Sequence, residues 1–75
     1  MIEVSKDFLI STLQAEIFDL CMNKWKISNV ECSEIFDKYN IWEYIHECYD
    51  ILHLYGSSEN VREIDRIVNA GGELV

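Results

Sequence analysis

The chain has 75 residues, of which 49% are hydrophobic, and its 14 acidic and 6 basic side chains give a formal net charge of −8. This length predicts a single domain, residues 1–75, with a small core. The hydrophobic content excludes a disordered tail, and the acidic balance excludes nucleic-acid binding through phosphates. The chain has no proline and only three glycines, a composition that favours helices. We therefore expect an all-α, compact bundle of three to four short helices.

The first two predicted helices have recognisable starts. Ser5 is a candidate N-cap for a helix over about residues 6–24. Ser28 and Glu31, three residues apart, form a capping box that opens a helix over about residues 29–39. The apolar positions available for burial in these segments are Leu9, Leu13, Ile17, Leu20, Val30, Cys32, Ile35, Phe36 and Tyr39.

A third helix is predicted over about residues 41–55, the densest amphipathic stretch of the chain. Asn40 and Glu43 have the spacing of a capping box, and Gly56 is placed to close the helix in the left-handed conformation. At roughly 100° per residue, the apolar arc consists of Ile41, Tyr44, Ile45, Cys48, Tyr49, Leu52 and Tyr55, with Trp42 at its edge. The other arc consists of Glu43, His46, Glu47, Asp50 and His53. An arc this wide predicts a central helix with two or three neighbours.

A fourth helix is predicted over about residues 59–69, with Ser57 and Ser58 as candidate caps. Its apolar face consists of Val61, Ile64, Ile67 and Val68. Gly71-Gly72 is expected to end this helix, and Glu73–Val75 are expected to fray.

The cysteines and the N-terminus indicate a cellular compartment. Three cysteines cannot all pair within one chain, and none belongs to a C-x-x-C motif. We expect them to be small buried side chains in a reduced, cytoplasmic protein. No signal-peptide pattern and no apolar stretch of membrane-spanning length is present, so no membrane partner is expected.

The sharpest candidate for chemistry lies on the third predicted helix. His46, Asp50 and His53 stand at i, i+4 and i+7, a spacing that places imidazole and carboxylate groups on one face for zinc or another divalent ion. All these ligands would come from a single helix, and no H-E-x-x-H motif is present. We favour the alternative that the histidines border the core, with Asp50 bonded to one of them. No metal and no cofactor are therefore expected.

An enzyme is not expected either. Cys48 lies roughly 160° around the helix from His46, so the two do not form a nucleophile–base pair. No glycine-rich phosphate loop is present. A thin four-helix domain also offers little room for a cleft that excludes water.

The negative charge is concentrated between Ile27 and Asn60, where seven carboxylates and one lysine give −6 of the −8 total. One interpretation is a solubilising surface, and the other is a docking face for a basic protein. A DNA-reading helix-turn-helix is rejected, because the third helix presents no Lys or Arg. The candidate partner-binding residues are Trp42, Glu43, His46, Glu47, Asp50, His53 and Tyr55.

Four short elements carry a family resemblance. They are Ile27-Ser28, Phe36-Asp37-Lys38-Tyr39, the Y-D-x-L-H-x-x-G pattern of Tyr49–Gly56, and Ile64-Asp65 followed by Gly71. Over about residues 8–72 the chain resembles short bacterial proteins grouped as domain of unknown function 3791, and it departs from their pattern at Leu54-Tyr55. That family has no assigned activity, and its members are often encoded beside proteins resembling ADP-ribosyltransferase toxins. The resemblance therefore implies a partner-binding or toxin-neutralising role.

These observations predict an acidic protein-interaction module, an antitoxin-like or adaptor partner of a neighbouring gene product. One alternative is a homodimer or larger homo-oligomer whose interface completes the small core. The other alternative is a small metal or ligand binder that uses His46, Asp50 and His53.

Overall fold

A computed structural model describes residues 4–71, which form helices with no strand in that range. The helices are α1 (Lys6–Trp25), α2 (Asn29–Lys38), α3 (Ile41–Glu47), α4 (Tyr49–Leu52) and α5 (Ser57–Asn69). The all-α prediction is confirmed, with four helices of seven or more residues and one short helix in this part of the chain. None of these helices is both long enough and apolar enough to cross a membrane.

The starts of α1 and α2 follow directly from local sequence. The Ser5 hydroxyl accepts a hydrogen bond from the Phe8 N–H at 3.2 Å. In the capping box of α2, Ser28 Oγ accepts from the Glu31 N–H at 3.2 Å, and Glu31 Oε1 accepts from the Ser28 N–H at 3.1 Å. Both predicted caps are confirmed. Each cap accepts a hydrogen bond from an N–H group that the first helical turn leaves free.

Asn40 turns the chain from α2 into α3, but it does so with its backbone. Its φ of 54° and ψ of 39° are left-handed, and its side chain makes no capping hydrogen bond. The prediction of an Asn40–Glu43 capping box is therefore wrong. Asparagine tolerates this conformation better than most residues, and the tight connection between two helices requires it here.

The predicted continuous helix over residues 41–55 is also wrong, because the chain bends at Cys48. The Tyr44 carbonyl accepts the Cys48 N–H at 2.9 Å and ends α3. Cys48 then adopts φ −101° and ψ 14°, and its carbonyl accepts the Ile51 and Leu52 N–H groups at 3.0 and 2.9 Å to begin α4. Leu52, which belongs to the predicted apolar arc, is buried in the core after the bend.

The helical segment ends at Leu52 instead of Tyr55. The Leu52 carbonyl accepts the Tyr55 N–H at 3.1 Å in a short turn and the Asn60 side-chain amide at 3.1 Å. Both bonds compete with an α-helical continuation. Gly56 is extended, with φ −73° and ψ 161°, so the prediction that it closes a helix in the left-handed region is wrong.

The last helix, α5, begins at Ser57, two residues before the predicted start, and Gly56 is its N-cap residue. Ser57 donates its hydroxyl proton to Glu16 Oε1 at 2.9 Å, so the prediction of a serine cap is wrong. Gly71, with φ 72°, is left-handed after the end of α5, as predicted. The expectations for Gly72 and for Glu73–Val75 lie outside the described residues.

The core lies where α1, α2, α3 and α5 meet, and Leu52 of α4 completes it. Its buried side chains are Ile17, Cys21, Cys32, Phe36, Ile41, Ile45, Leu52, Val61, Ile64 and Ile67. Cys21 and Cys32 are free and fully buried, as expected, whereas Cys48 is half-buried. Burial raises the pKa of the Cys21 thiol to about 12, because a low-dielectric environment disfavours the thiolate.

Candidate partner-binding surface

The carboxylates of α2 and α3 are exposed, and we call Glu31, Glu34, Asp37, Glu43 and Glu47 together the acidic surface. Among residues 4–71, no lysine or arginine lies within ion-pair distance of these five groups. The capping box engages Glu31, while the other four point into solvent without such a partner in the described part of the chain. This surface is therefore available to cations from outside the chain.

The α3 part of the acidic surface is held on the core by Tyr44. Its hydroxyl donates to Glu63 Oε1 at 3.4 Å, and Glu63 is in turn paired with Arg66 on α5. Burial, followed by the neighbouring Glu63 charge, raises the pKa of Tyr44 to about 12. The hydrogen bond from Arg66 lowers the pKa of Glu63. This network fixes α3 against α5 and leaves Glu43 and Glu47 facing away.

Asp50 differs from the acidic surface because it has a cationic partner. Its Oδ1 lies 3.0 Å from Lys6 Nζ, and both side chains are well exposed. The same ammonium lies 6.0 Å from the centre of the Tyr49 ring. The Lys6 side chain therefore links the first turn of α1 to α4, and its ammonium partly neutralises the charge of Asp50.

The structure does not assemble His46, Asp50 and His53 into one cluster. The bend at Cys48 separates His46 on α3 from the other two, and Asp50 pairs with Lys6 instead of either histidine. His53 stacks on Tyr49, with ring centres 4.9 Å apart and planes 11° apart. In the described residues, no group of three or more His, Cys, Asp or Glu side chains is placed to hold a metal ion.

The two predicted aromatic anchors have different environments. Trp42 is half-buried, stacks on Phe18 at 5.3 Å and meets the Phe36 ring edge-on at 4.8 Å. Its ring therefore contributes mainly to the core. Tyr55 is 47% exposed, beside Leu54 at 73% and Ile51 at 55%. We call Ile51, Leu54 and Tyr55 the apolar strip. Ile51 and Leu54 were not predicted as partner-binding residues, because both lie outside the centre of the apolar arc, although Leu54-Tyr55 already departed from the family pattern.

A groove of about 250 Å³ lies beside the apolar strip, between α1, the segment that follows α4, and α5. The residues that line it include Leu9, Glu16, Tyr49, His53, Tyr55 and Asn60. His53 and Tyr55 were predicted as partner-binding residues. The contributions of α1 and Asn60 were not, because residues so distant in sequence share a groove only after folding.

A second, larger groove of about 630 Å³ lies between α1 and α5. Its lining residues include Leu20, Lys24, Ser57, Val61 and Arg62, so its charged groups are cations. Lys24 also lies 3.6 Å from Asp65 Oδ2. None of the predicted partner-binding residues lines this groove, and its charge is opposite to that of the acidic surface.

A family model described as "Protein of unknown function (DUF3791)" matches residues 17–70, which is most of the chain. The match confirms the resemblance drawn from the sequence. Its range contains the acidic surface, the apolar strip and the Tyr49–Gly56 pattern, but not the first half of α1. No curated protein and no solved structure matched the chain.

Proposed function

We propose, from the premise that this chain belongs to the DUF3791 family of proteins of unknown function, that it is an acidic protein-interaction module for a basic partner. The observation that carries the proposal is the exposure of Glu34, Asp37, Glu43 and Glu47 on adjoining helices, in a chain of net charge −8. Such a surface attracts a basic partner and sets the rate and specificity of encounter.

The apolar strip supplies the second part of the proposed interface. Charge alone gives steering more than affinity, whereas buried aromatic and aliphatic anchors give most of the binding free energy. Ile51, Leu54 and Tyr55 follow directly after Asp50 and stay largely exposed. The partner therefore contacts carboxylates on α3 and apolar side chains after Asp50 within one continuous part of the chain.

The finer proposal concerns the partner's identity. An antitoxin-like or adaptor role is what the family resemblance implies, with a basic protein encoded by a neighbouring gene as the partner. The acidic surface supports this role because it complements positive charge. The same surface argues for a partner that is a protein, since it repels nucleic-acid phosphates. We further propose a reduced, cytoplasmic location, which the three free cysteines support.

Affinity capture from the native host tests the proposal. A tagged wild-type chain is compared with Glu43→Lys and Glu47→Lys, and with Asp19→Lys, which makes the same charge change at an exposed carboxylate of α1. We expect a stoichiometric basic protein with the wild type and the control, and much less of it with the two α3 variants. Equal capture by all four chains would contradict the proposal.

Self-association is the second candidate function, and the exposed apolar side chains favour it. Besides the apolar strip, Phe8 is 61% exposed and Leu9 is 42% exposed on α1. A second copy that covers these groups would complete the small core. Light scattering distinguishes the two functions. A stable wild-type dimer that becomes a monomer on Leu54→Ser supports self-association, and a monomeric wild-type chain excludes it.

A further inference from the structure

The groove beside the apolar strip contains an unsatisfied buried acceptor. Asn60 lines the groove and is 1% exposed. Its Nδ2 donates to the Leu52 carbonyl at 3.1 Å, so its orientation is fixed and Oδ1 must act as the acceptor. Oδ1 is buried and has no hydrogen-bond partner among residues 4–71. Because an unpaired buried carbonyl is costly, this atom calls for an N–H or O–H donor.

A negative charge lies in the same groove. Glu16 is exposed on α1, and its Oε1 accepts the Ser57 hydroxyl proton at 2.9 Å, which holds the carboxylate toward the start of α5. The second carboxylate oxygen remains free to accept another hydrogen bond. The Lys6 ammonium, 6.0 Å from the centre of the Tyr49 ring, is paired with Asp50, and Glu16 is not within ion-pair distance of a lysine or arginine among residues 4–71. Asn60 Oδ1 and the Glu16 carboxylate are thus both hydrogen-bond acceptors, and the carboxylate is charged.

The remaining walls are mostly aromatic and aliphatic, and the Thr12 hydroxyl that also lines the groove donates to the Phe8 carbonyl of its own helix. Tyr49 and His53 present parallel stacked rings, Tyr55 is half-exposed, and Leu9 adds an aliphatic surface. A flat cation with several N–H donors and no acceptor fits such a set of groups. The arginine guanidinium has these properties, and it stacks on aromatic rings more readily than the compact lysine ammonium. The aliphatic part of its side chain also suits an apolar wall.

We propose that this groove binds an arginine side chain of the basic partner, with Asn60 Oδ1 and Glu16 accepting guanidinium N–H groups beside the Tyr49–His53 stack. The proposal rests on the proposed function, since it specifies how that partner is recognised. It adds a contact with a planar group to a surface that otherwise attracts by charge. A planar guanidinium donates to two acceptors at once in a fixed geometry, which the lysine ammonium cannot do, so such a contact discriminates arginine from lysine.

The test is a titration of ¹⁵N-labelled protein with Nα-acetyl-L-arginine amide, followed by NMR. The citrulline analogue has the same shape without the charge, and the lysine analogue has the charge without the planar group. We expect saturable shifts of the Asn60 side-chain amide and of backbone amides in residues 49–60. The arginine compound should bind at least about tenfold more tightly than either analogue.

Two variants place the binding at the proposed atoms. Glu16→Gln should weaken arginine binding about tenfold, whereas the matched control Asp19→Asn, at an exposed carboxylate of the same helix outside the groove, should leave it unchanged. Asn60→Leu removes the orphan acceptor with a side chain of similar size and should abolish the backbone shifts in residues 49–60. If Asn60→Leu does not fold, the Glu16→Gln and Asp19→Asn pair decides the question alone.

Several results would overturn the arginine proposal. They are the absence of saturable shifts, equal binding of the citrulline or lysine analogue, and shifts that track protein concentration without any probe, which would indicate a second copy in the groove. A failed titration with partner capture still lost in Glu47→Lys would refute only the arginine groove. Arginine binding with unchanged capture in Glu47→Lys would instead refute the acidic docking surface.

Discussion

Helix α2 and the segment from α4 to Gly56 lie on either side of α3 in the sequence, and they use their apolar side chains in different ways. The start of α2 has a complete capping box, and the helix buries Cys32 and Phe36 fully. The start of α4 has no side-chain cap, and only Leu52 of that helix is buried. The apolar strip that surrounds Leu52 stays in solvent. The buried side chains of the first region therefore maintain the fold, and the exposed side chains of the second region are available to the proposed interface.

The largest expected effect compares one residue from each region. Phe36 is fully buried and contacts the rings of Phe18 and Trp42, so Phe36→Ala should lower the free energy of unfolding by about 3–5 kcal/mol. Leu54 is 73% exposed, and Leu54→Ala should change it by less than about 0.5 kcal/mol. Urea denaturation of both variants measures the difference, and similar losses would erase the distinction between the regions.

A smaller effect should appear at alkaline pH, because the core side of the molecule buries a thiol. The folded chain keeps Cys21 protonated up to a pKa of about 12, against an ordinary value of 9.0. The unfolded chain loses this proton first, so the stabilisation is complete below pH 9 and is lost as pH rises towards 12. The free energy of unfolding should fall by about 1 kcal/mol between pH 8 and pH 10.

The control for the alkaline effect is Cys21→Val, which keeps an apolar side chain and removes the ionisable group. Its free energy of unfolding should change less over the same pH interval, with the remaining decline due to Cys32 and Tyr44, whose pKa values burial also raises. An identical decline in wild type and Cys21→Val would show that the buried thiol is not its source.

A third effect concerns the caps. Ser28→Ala removes one half of the capping box and should lower the free energy of unfolding by about 1 kcal/mol. Ser57→Ala is the matched control, because Ser57 lies in the first turn of α5 and bonds the exposed Glu16 without capping. It should change the free energy by less than about 0.5 kcal/mol. A larger loss of unfolding free energy in Ser57→Ala would mean that the Ser57–Glu16 hydrogen bond contributes to the stability of the fold.

Local signals predicted the first half of the chain well. Ser5 and the Ser28–Glu31 pair announce helix starts through short-range hydrogen bonds, and these are the starts that the structure shows. Most residues of the third apolar arc are also buried or half-buried as expected. Family membership was recognisable as well, because the Tyr49–Gly56 pattern is a contiguous stretch of sequence.

The segment after Cys48 could not be predicted in the same way. The bend there goes with the burial of Leu52 and with the bond from Asn60 to its carbonyl, and both depend on where α5 packs. A helical wheel places Tyr55 on the core side because it assumes a continuous helix, whereas α4 ends at Leu52. The groove could not be predicted either, because Leu9 and Glu16 of α1 meet the other lining residues only after folding.

We propose that the exposed segment recognises a partner and does not stabilise the fold. A paired measurement on Leu54→Ser/Tyr55→Ser tests this most directly. Its unfolding free energy and its capture of the host partner are compared with those of wild type and of Val4→Ser, a control at an apolar residue before α1 that is 53% exposed. We predict unchanged stability in both variants and loss of the partner in the double variant alone. Retained capture by a folded double variant, or its unfolding, would contradict the account.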